Sequence, residues 1–322
     1  MNNVFIRIIG NMKRNIYSYS KLWMIFFVLM GAACTNQVKD VIPVSGQPIE
    51  FSVQSDWKEI PNTRSNDGKT YFEAGNEIQI FGFHKFSSGD EKKFMYRVND
   101  SINDPTRGQK VVYDGTNWNY SPKRFWPKEG KLDFYVSYPE YSVLNEEENN
   151  KIKMTYKQTV NPLELDLLWG VSTGLDCATD SNKNVKIEIK MKHALAKVNI
   201  LFASLGEIKE AKVSAYKAGY FYRTLTDGIP DWKVDDKTDI QKTIRPYNGL
   251  PTMGDVTVFI LPGRITGLIL TKLDGTEIDV SDKIQNLTFA AGKEYNLTIS
   301  KGVQKKNTNS RSIAMSVRCV SE

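Results

Sequence analysis

Apolar and polar residues alternate with a period of two along much of this chain, whereas helical periodicity is scarce. In residues 185–192 (VKIEIKMK) every second side chain is apolar and the others are Lys or Glu. Residues 131–138 (KLDFYVSY) alternate in the same way. Each pattern predicts a strand with one buried and one solvated face. Because Asp-Gly and similar turn sequences separate such segments, we predict an all-β chain of antiparallel β-sandwiches.

Two polar segments divide the body of the chain. Residues 176–184 (DCATDSNKN) have the composition of a turn, and residues 301–312 (KGVQKKNTNSRS) are too polar to pack into a core. We therefore predict two tandem sandwich domains followed by a linker and a final strand. The predicted divisions are 65–175 with a first strand from 45–55, then 185–300, then 301–322.

The first 33 residues have the pattern of an export signal. The apolar run Leu22–Met30 follows scattered basic residues and precedes Gly31-Ala32-Ala33-Cys34, which is similar to a bacterial lipobox. A nine-residue helix spans about 14 Å, too short for a bilayer core of about 30 Å. We predict a lipoprotein signal peptide at 1–33, lipidation of Cys34, and a lipidated segment at 34–64. A plain signal peptide with an incidental cysteine is the alternative, and the chain starts at Met1 or Met12.

Composition and charge exclude several classes of function. The formal net charge is +6, but residues 1–33 hold four basic residues and no acid, which leaves 39 basic against 37 acidic residues. A nearly balanced chain lacks the basic face that nucleic-acid binding needs, so no nucleic-acid partner is expected. With only two histidines and three cysteines, the chain is expected to hold no metal and no cofactor.

The cysteines do not form a disulfide framework. Once Cys34 is lipidated, Cys177 and Cys319 remain, 142 positions apart. Both are predicted to be free thiols.

One short segment matches a catalytic motif. Gly170–Gly174 (GVSTG) fits G-x-S-x-G, but a nucleophile elbow needs a strand before it, a helix after it, and a distant acid and histidine. The residues that follow are a poor helix, and His193 is the only histidine downstream. We therefore do not expect an enzyme.

Several segments resemble, in this order, the fimbrillin family, which includes the Mfa-like lipoprotein pilins of type V fimbriae. They are 49–53 (IEFSV), Thr63-Arg64, 75–81 (GNEIQIF), 125–139 (FWPKEGKLDFYVSYP), 192–198 (KHALAKV) and 291–299 (AGKEYNLTI). The resemblance implies two transthyretin-like antiparallel β-sandwich domains in an outer-membrane lipoprotein precursor of a cell-surface fimbria that supports adhesion. It also implies removal of the first strand by an arginine-specific protease, and strand exchange with other fimbrial subunits in a homo- or heteropolymer.

The residues near the start of the body fit these implications. Ile49, Phe51 and Val53 alternate with polar residues, so a first strand can bury three apolar side chains. Arg64 lies in a polar stretch (PNTRSNDGK) that suits protease access. Cleavage between Arg64 and Ser65 would detach the lipid and the first strand together. The sandwich would then have an open groove and an unpaired edge.

The end of the chain offers a replacement strand. Ile313, Met315, Val317 and Cys319 alternate with other residues behind the polar linker, with no evident partner in their own domain. We predict that they form a donor strand for a neighbouring subunit, held in register by main-chain hydrogen bonds. Such a head-to-tail contact does not close, so it propagates a fibre. The alternative is that the segment is the last strand of its own second domain.

A second class of function stays open at this stage. The chain would then be a monomeric outer-membrane surface lipoprotein that binds glycan. Its aromatic residues Trp118, Tyr120, Trp126 and Trp232 could stack on sugar rings if they are exposed, although we expect such rings to be buried by packing. A host or bacterial surface ligand is a further candidate partner, and the sequence does not distinguish a stalk, tip or anchor position.

Overall fold

The chain is almost entirely β-structure, as predicted. The computed structural model describes residues 47–55, 72–99, 102–140, 142–148, 151–157, 163–180, 185–223, 225–226, 228–246, 250–301 and 315–321. These residues belong to one compact unit.

The first twelve strands precede residue 194. They are β1 Phe51–Ser55, β2 Glu77–Lys85, β3 Glu91–Met95, β4 Arg97–Asn99, β5 Ile102–Asp104, β6 Gln109–Tyr113, β7 Trp118–Asn119, β8 Lys131–Tyr138, β9 Val143–Glu148, β10 Lys151–Lys157, β11 Leu168–Asp176 and β12 Ile187–His193. A short helix, α1 Cys177–Asp180, follows β11.

Twelve further strands follow. They are β13 Ala196–Leu201, β14 Ile208–Tyr216, β15 Ala218–Phe221, β16 Leu225–Thr226, β17 Ile229–Pro230, β18 Lys233–Val234, β19 Asp239–Ile244, β20 Asp255–Ile260, β21 Ile265–Lys272, β22 Glu277–Asp279, β23 Glu294–Lys301 and β24 Met315–Ser321. A 3-10 turn spans Ala203–Leu205, and α2 spans Ser281–Ile284.

Eight strands form the first sheet, in the order β1-β12-β11-β8-β2-β6-β7, with β3 also paired to β2. β1 runs parallel to β12, and the other neighbours are antiparallel. β12 follows the polar segment 176–184, yet it pairs within this first sheet. β12 is the last strand of the first sheet and β13 is the first strand around the second core, so the predicted start of the second domain at 185 lies before a strand of the first sheet. The division into two domains itself stays a prediction.

The second apolar core lies between two four-stranded sheets, β20-β13-β23-β24 and β19-β14-β21-β22. Val198 and Leu297 from the first of these sheets and Val213 and Leu268 from the second are fully buried in this core. Only β13 and β23 run parallel in this pair of sheets; the other described pairings are antiparallel. Two sheets that face each other across one core form a β-sandwich.

A third apolar cluster lies on the outer face of the first sheet. Trp169 and Tyr135 pack there with Phe221 of β15, and the ring centroids of Trp169 and Phe221 are 5.0 Å apart. The side chains on this face of β8 are buried as well, since Asp133 and Tyr135 are only 2% and 6% exposed. The predicted solvated face of residues 131–138 is therefore wrong.

Strand β12 follows its sequence pattern. Ile187, Ile189 and Met191 are buried, while Glu188 and Lys190 between them are exposed. A wet outer face is retained here because β12 carries charges at every second position.

The two cysteines of the body are free, as predicted. Cys177 is buried, and burial raises the pKa of its thiol to about 12. Because the thiolate is the reactive form, Cys177 is a packing residue.

Replacing Phe51 by Ala tests how β1 packs on the first sheet. Phe51 is 2% exposed, so truncation leaves a cavity. We expect F51A to lower the free energy of unfolding of the uncut chain by about 3–5 kcal/mol. The control V185A removes an apolar group that is 65% exposed, and should change stability by less than about 0.5 kcal/mol. Urea titration measures both values, and equal stability of the two variants would contradict the packing.

Candidate functional site

The first strand is an edge strand. Within the described residues, β1 pairs with β12 alone, with Phe51 opposite Ile187 and Val53 opposite Ile189. The amide of Ile187 also donates to the carbonyl of Glu50 at 2.8 Å. Because an edge strand is hydrogen-bonded in a ladder on one side only, it can leave without opening the interior of the sheet.

Three side chains of the opening segment are buried in an apolar core against the first sheet, which includes Phe134 and which we call the first core. Ile49, Phe51 and Val53 are 0%, 2% and 7% exposed, as their alternation predicted. The Phe51 ring contacts Phe134 edge-on at 5.2 Å between centroids and Tyr120 at 6.0 Å. Burying three such side chains contributes at most about 5–9 kcal/mol.

A second set of contacts holds the main chain just before β1. The Tyr120 hydroxyl donates to the carbonyl of Ile49 at 2.7 Å, and the amide of Ile49 donates to the carbonyl of Arg124 at 2.8 Å. Pro48 and Phe125 form an isolated bridge beside them. We call the contacts of Ile49 with Tyr120 and Arg124 the clasp. The clasp supports the opening segment on the side away from β12.

Burial also sets the protonation of the clasp. It raises the pKa of Tyr120 to about 12, so the hydroxyl remains a neutral donor at physiological pH. In the sequence alone, Tyr120 is only a candidate for stacking on a sugar ring. Its acceptor, Ile49, is 71 positions away, and no local pattern indicates that pairing.

The aromatic residues proposed for sugar stacking are not at the surface. Trp118, Tyr120 and Trp126 are 6%, 7% and 5% exposed, so they are buried and are not available to stack on sugar rings. Trp232 is partly buried against Phe221 and donates from its indole nitrogen to the carbonyl of Ala194 at 2.7 Å. All four pack within the fold because each ring meets an apolar cluster.

The closing strand has a partner within its own chain. β24 pairs antiparallel with β23 at the edge of its sheet, with Val317 opposite Ile299 and Cys319 opposite Leu297. The expectation that this segment has no partner in its own domain is therefore wrong. Cys319 packs partly against the second core, whereas Arg318 and Val320 are exposed.

The structure does not bring the opening and closing strands together, since β1 and β24 lie in different sheets. Four other predicted site residues, Cys34, Arg64, Ser65 and Ile313, lie outside the described residues. The strand β24 includes the donor-strand candidates Met315, Val317 and Cys319.

The G-x-S-x-G match is not a nucleophile elbow. Ser172 lies inside strand β11, not at a strand-to-helix turn, and the helix α1 that follows has four residues. His193 is opposite Leu168, four positions before Ser172 or about 13 Å along a strand. His193 pairs instead with the carboxylate of Asp166.

Two kinds of feature are absent from the described residues. No group of three or more His, Cys, Asp or Glu side chains in this part of the chain is arranged to hold a metal ion. No helix of the described segments is long and apolar enough to cross a membrane.

Comparison with known proteins gives one family and several distant structural similarities. The family described as fimbrillin-like matches residues 63–315. No curated protein matches the chain. A candidate cell adhesion protein of known structure from Bacteroides ovatus is 10% identical with a TM-score of 0.47, over 84% of this chain and 96% of that one.

Two other solved structures are similar at the same level. A fimbrial assembly protein from Parabacteroides distasonis is 11% identical with a TM-score of 0.40, over 86% of this chain and 99% of that one. The tip fimbrial protein Mfa3 from Porphyromonas gingivalis, with a C-terminal truncation, is 10% identical with a TM-score of 0.37, over 77% and 94%.

The family match decides the assignment. It runs from the segment before β2 to the first residue of β24, and so includes strands of the first sheet and of both sheets around the second core. The chain belongs to the fimbrillin-like family of fimbrial proteins.

Proposed function

We propose that this fimbrial subunit polymerises by exchanging its own first strand for the closing strand of a neighbouring subunit. The observation that carries the proposal is the burial of Ile49, Phe51 and Val53 by an opening segment that joins the sheet only at its edge. The polymer is a cell-surface fimbria that supports adhesion, with a host or bacterial surface molecule as its ligand.

Export and cleavage precede exchange in this scheme. The precursor is an outer-membrane lipoprotein anchored by a lipid on Cys34, and an arginine-specific protease cuts it between Arg64 and Ser65. The support is the sequence around both sites. The cut falls between β1, which ends at Ser55, and β2, which begins at Glu77. After it, β1 is held by contacts alone and has no covalent link to the rest of the sheet.

Loss of β1 creates a site of defined chemistry. The main chain of β12 from Ile187 to Met191 loses its partner, and the side chains that contacted Phe51 become exposed. The Tyr120 hydroxyl loses its acceptor. An incoming strand must therefore supply main-chain groups to β12, apolar side chains at every second position, and a carbonyl to Tyr120.

The closing segment has the alternation that these requirements call for. Residues 313, 315, 317 and 319 are Ile, Met, Val and Cys, the same spacing as in the opening segment. β24 has one neighbour in its sheet, and Cys319, which lies in its apolar phase, is only partly buried. Exchange therefore requires β24 to leave β23 before it enters the neighbour.

Chain length permits this transfer. Residues 302–314 connect β23 to β24, and thirteen extended residues reach at most about 45 Å. Each subunit then donates one strand and receives one, so the contact is head to tail and builds a fibre. The same contact serves a homopolymer or a heteropolymer.

The glycan-binding lipoprotein is not supported as the main function. Its proposed stacking residues are buried or packed against other rings. The pairing of β24 with β23 inside one chain fits a monomer as well as a subunit before exchange.

Replacing Arg64 tests the maturation step. Arginine-specific digestion of the wild-type chain should give a product that begins at Ser65, followed by SDS-resistant ladders. R64A should prevent both, because the first strand then stays tethered. The control is R245A, at an arginine whose side chain is 69% exposed, and it should behave as wild type. N-terminal sequencing and gel electrophoresis measure the outcome, and ladders from an uncut R64A chain would exclude this route.

Two charged substitutions test the donor strand by its alternation. V317D places a carboxylate in the apolar phase of the segment and should abolish the ladders. The reason is that burying an unpaired charge in an apolar groove costs several kcal/mol. S316D adds the same charge in the other phase and should leave the ladders intact. Deletion of 313–322 should abolish them too. Ladders that persist in V317D and in the deletion would show that another segment fills the groove.

A further inference from the structure

The closing segment repeats the sequence of the opening one. Residues 49–53 read IEFSV and residues 313–317 read IAMSV, so Ile, Ser and Val recur at the same spacing and Met replaces Phe. The pattern I-x-x-S-V occurs nowhere else in the 322 residues. Alternation alone needs an apolar residue at every second position, and does not need the polar residues between them to agree. The repeat therefore relates the two segments position by position.

Alternation also leaves the register of an incoming strand undetermined. A shift by one residue turns every apolar side chain away from the core, whereas a shift by two residues keeps all of them on the same face. The register is then selected by the size of each buried side chain and by the main-chain contacts at the end of the strand.

The three buried positions of the opening segment differ in what they accept. Ile49 is fully buried, and the clasp engages both its amide and its carbonyl. Phe51 carries the largest of the three side chains and lies edge-on against Phe134 at 5.2 Å between ring centroids. Val53, opposite Ile189, is the smallest. Along the direction of β12 the groove therefore takes a medium, a large and a small side chain, with main-chain hydrogen bonds at the first.

We infer that a second copy of this chain fills the groove with residues 313–317, parallel to β12 and in the register of the opening segment. This inference rests on the strand exchange proposed above. The residues that take the places of Ile49, Phe51 and Val53 are, in this order, Ile313, Met315 and Val317. Met is unbranched and flexible, so it can fill the space of a ring, and its thioether makes favourable contacts with aromatic rings. The subunit is therefore complementary to itself and forms a homopolymer.

Shifted registers fill the groove less well. A shift that brings Met315 to the clasp places Val317 in the space of Phe51 and leaves a cavity there. The opposite shift brings Arg311 to the fully buried position at the clasp, where an unpaired charge is costly. Only the register of the opening segment gives each position an apolar side chain of suitable size.

The solvated face of β12 is compatible with this register. Ser52 lies opposite Glu188, and Ser316 would take the same position. Arg318 would lie opposite the exposed Lys190 and diagonal to Glu188. The like charges disfavour this pairing, whereas the diagonal carboxylate is within reach of a long arginine side chain. Because these groups are in water, they weigh less than the fit of the buried side chains.

Cysteine pairs on the solvated face test the register. The background is C319S, in which Ser takes the position of Ser55 and the remaining Cys177 is buried. Each chain carries E188C together with one of three partners, which are A314C, S316C and R318C. Cysteines directly opposite each other in a ladder have the Cα separation that a disulfide needs. A chain with E188C alone is the control and should not cross-link.

The chains are cut with an arginine-specific protease, oxidised with oxidised glutathione and separated on a non-reducing gel. We expect S316C to cross-link to E188C of the next subunit at least about tenfold faster than the other two, because a shift by two residues moves a cysteine by about 7 Å. Fastest cross-linking of S316C, in bands of two or more subunits, supports the inference.

Other patterns identify the alternatives. Fastest cross-linking of R318C indicates the register with Met315 at the clasp, and fastest cross-linking of A314C indicates a strand that is reversed or shifted the other way. Cross-links confined to the monomer band show that a chain fills its own groove, and ladders without any cross-link show a different occupant. Each of these results overturns the inference. Absence of ladders from the cut wild-type chain overturns the strand exchange as well.

A change of side-chain size tests the same register without cysteines. M315F restores the ring that Phe51 provides and should leave the ladders intact. V317F places that ring in the smaller space of Val53 and should reduce the ladder yield at least about fivefold, because overpacking forces strain. Circular dichroism of the uncut chains separates this effect from a folding defect. Intact ladders in V317F and lost ladders in M315F would contradict the register.

Discussion

The opening segment completes the first core with Ile49, Phe51 and Val53, although it is hydrogen-bonded in a ladder along one side only. Their side chains are as buried as those of the sheet interior, while their main chain depends on β12 and the clasp. This combination makes β1 necessary for the core and yet removable from the sheet. A strand in the middle of the sheet would complete the core but could not leave without opening the sheet. An exposed edge strand could leave, but its loss would not open the core.

The rest of the fold keeps its support when β1 is absent. The second core is enclosed by β13, β14, β20, β21 and β23, none of which contacts β1 in a ladder. The third cluster holds Trp169 and Tyr135 of the first sheet against Phe221. The loss of β1 is therefore confined to one edge and one groove, which a strand of the same alternation can refill. The closing segment is like β1 in being an edge strand with one neighbour in its sheet.

The sequence predicts short-range features of this fold well. The alternation at Ile187–Met191 and at Ile49–Val53 identifies which side chains are buried, because each strand has one neighbouring core. The same alternation does not predict burial correctly at β8, because Tyr135 is covered by residues that are far away in the chain. The Tyr120 clasp and the pairing of β24 with β23 are also long-range contacts, and no local pattern distinguishes them from exposed positions. The site depends on those contacts, so the sequence predicts its apolar strands but not what holds them.

We propose that fibre formation replaces the strand beside β12 by a strand from the adjacent subunit. A cryo-electron microscopy structure of the fibre formed by the cut protein tests it directly, through the side-chain density next to Ile187–Met191. We expect residues of the closing segment there, with Met315 and Val317 facing Phe134 and contributed by the adjacent subunit. Density for Phe51–Ser55 of the same subunit in that position would contradict it.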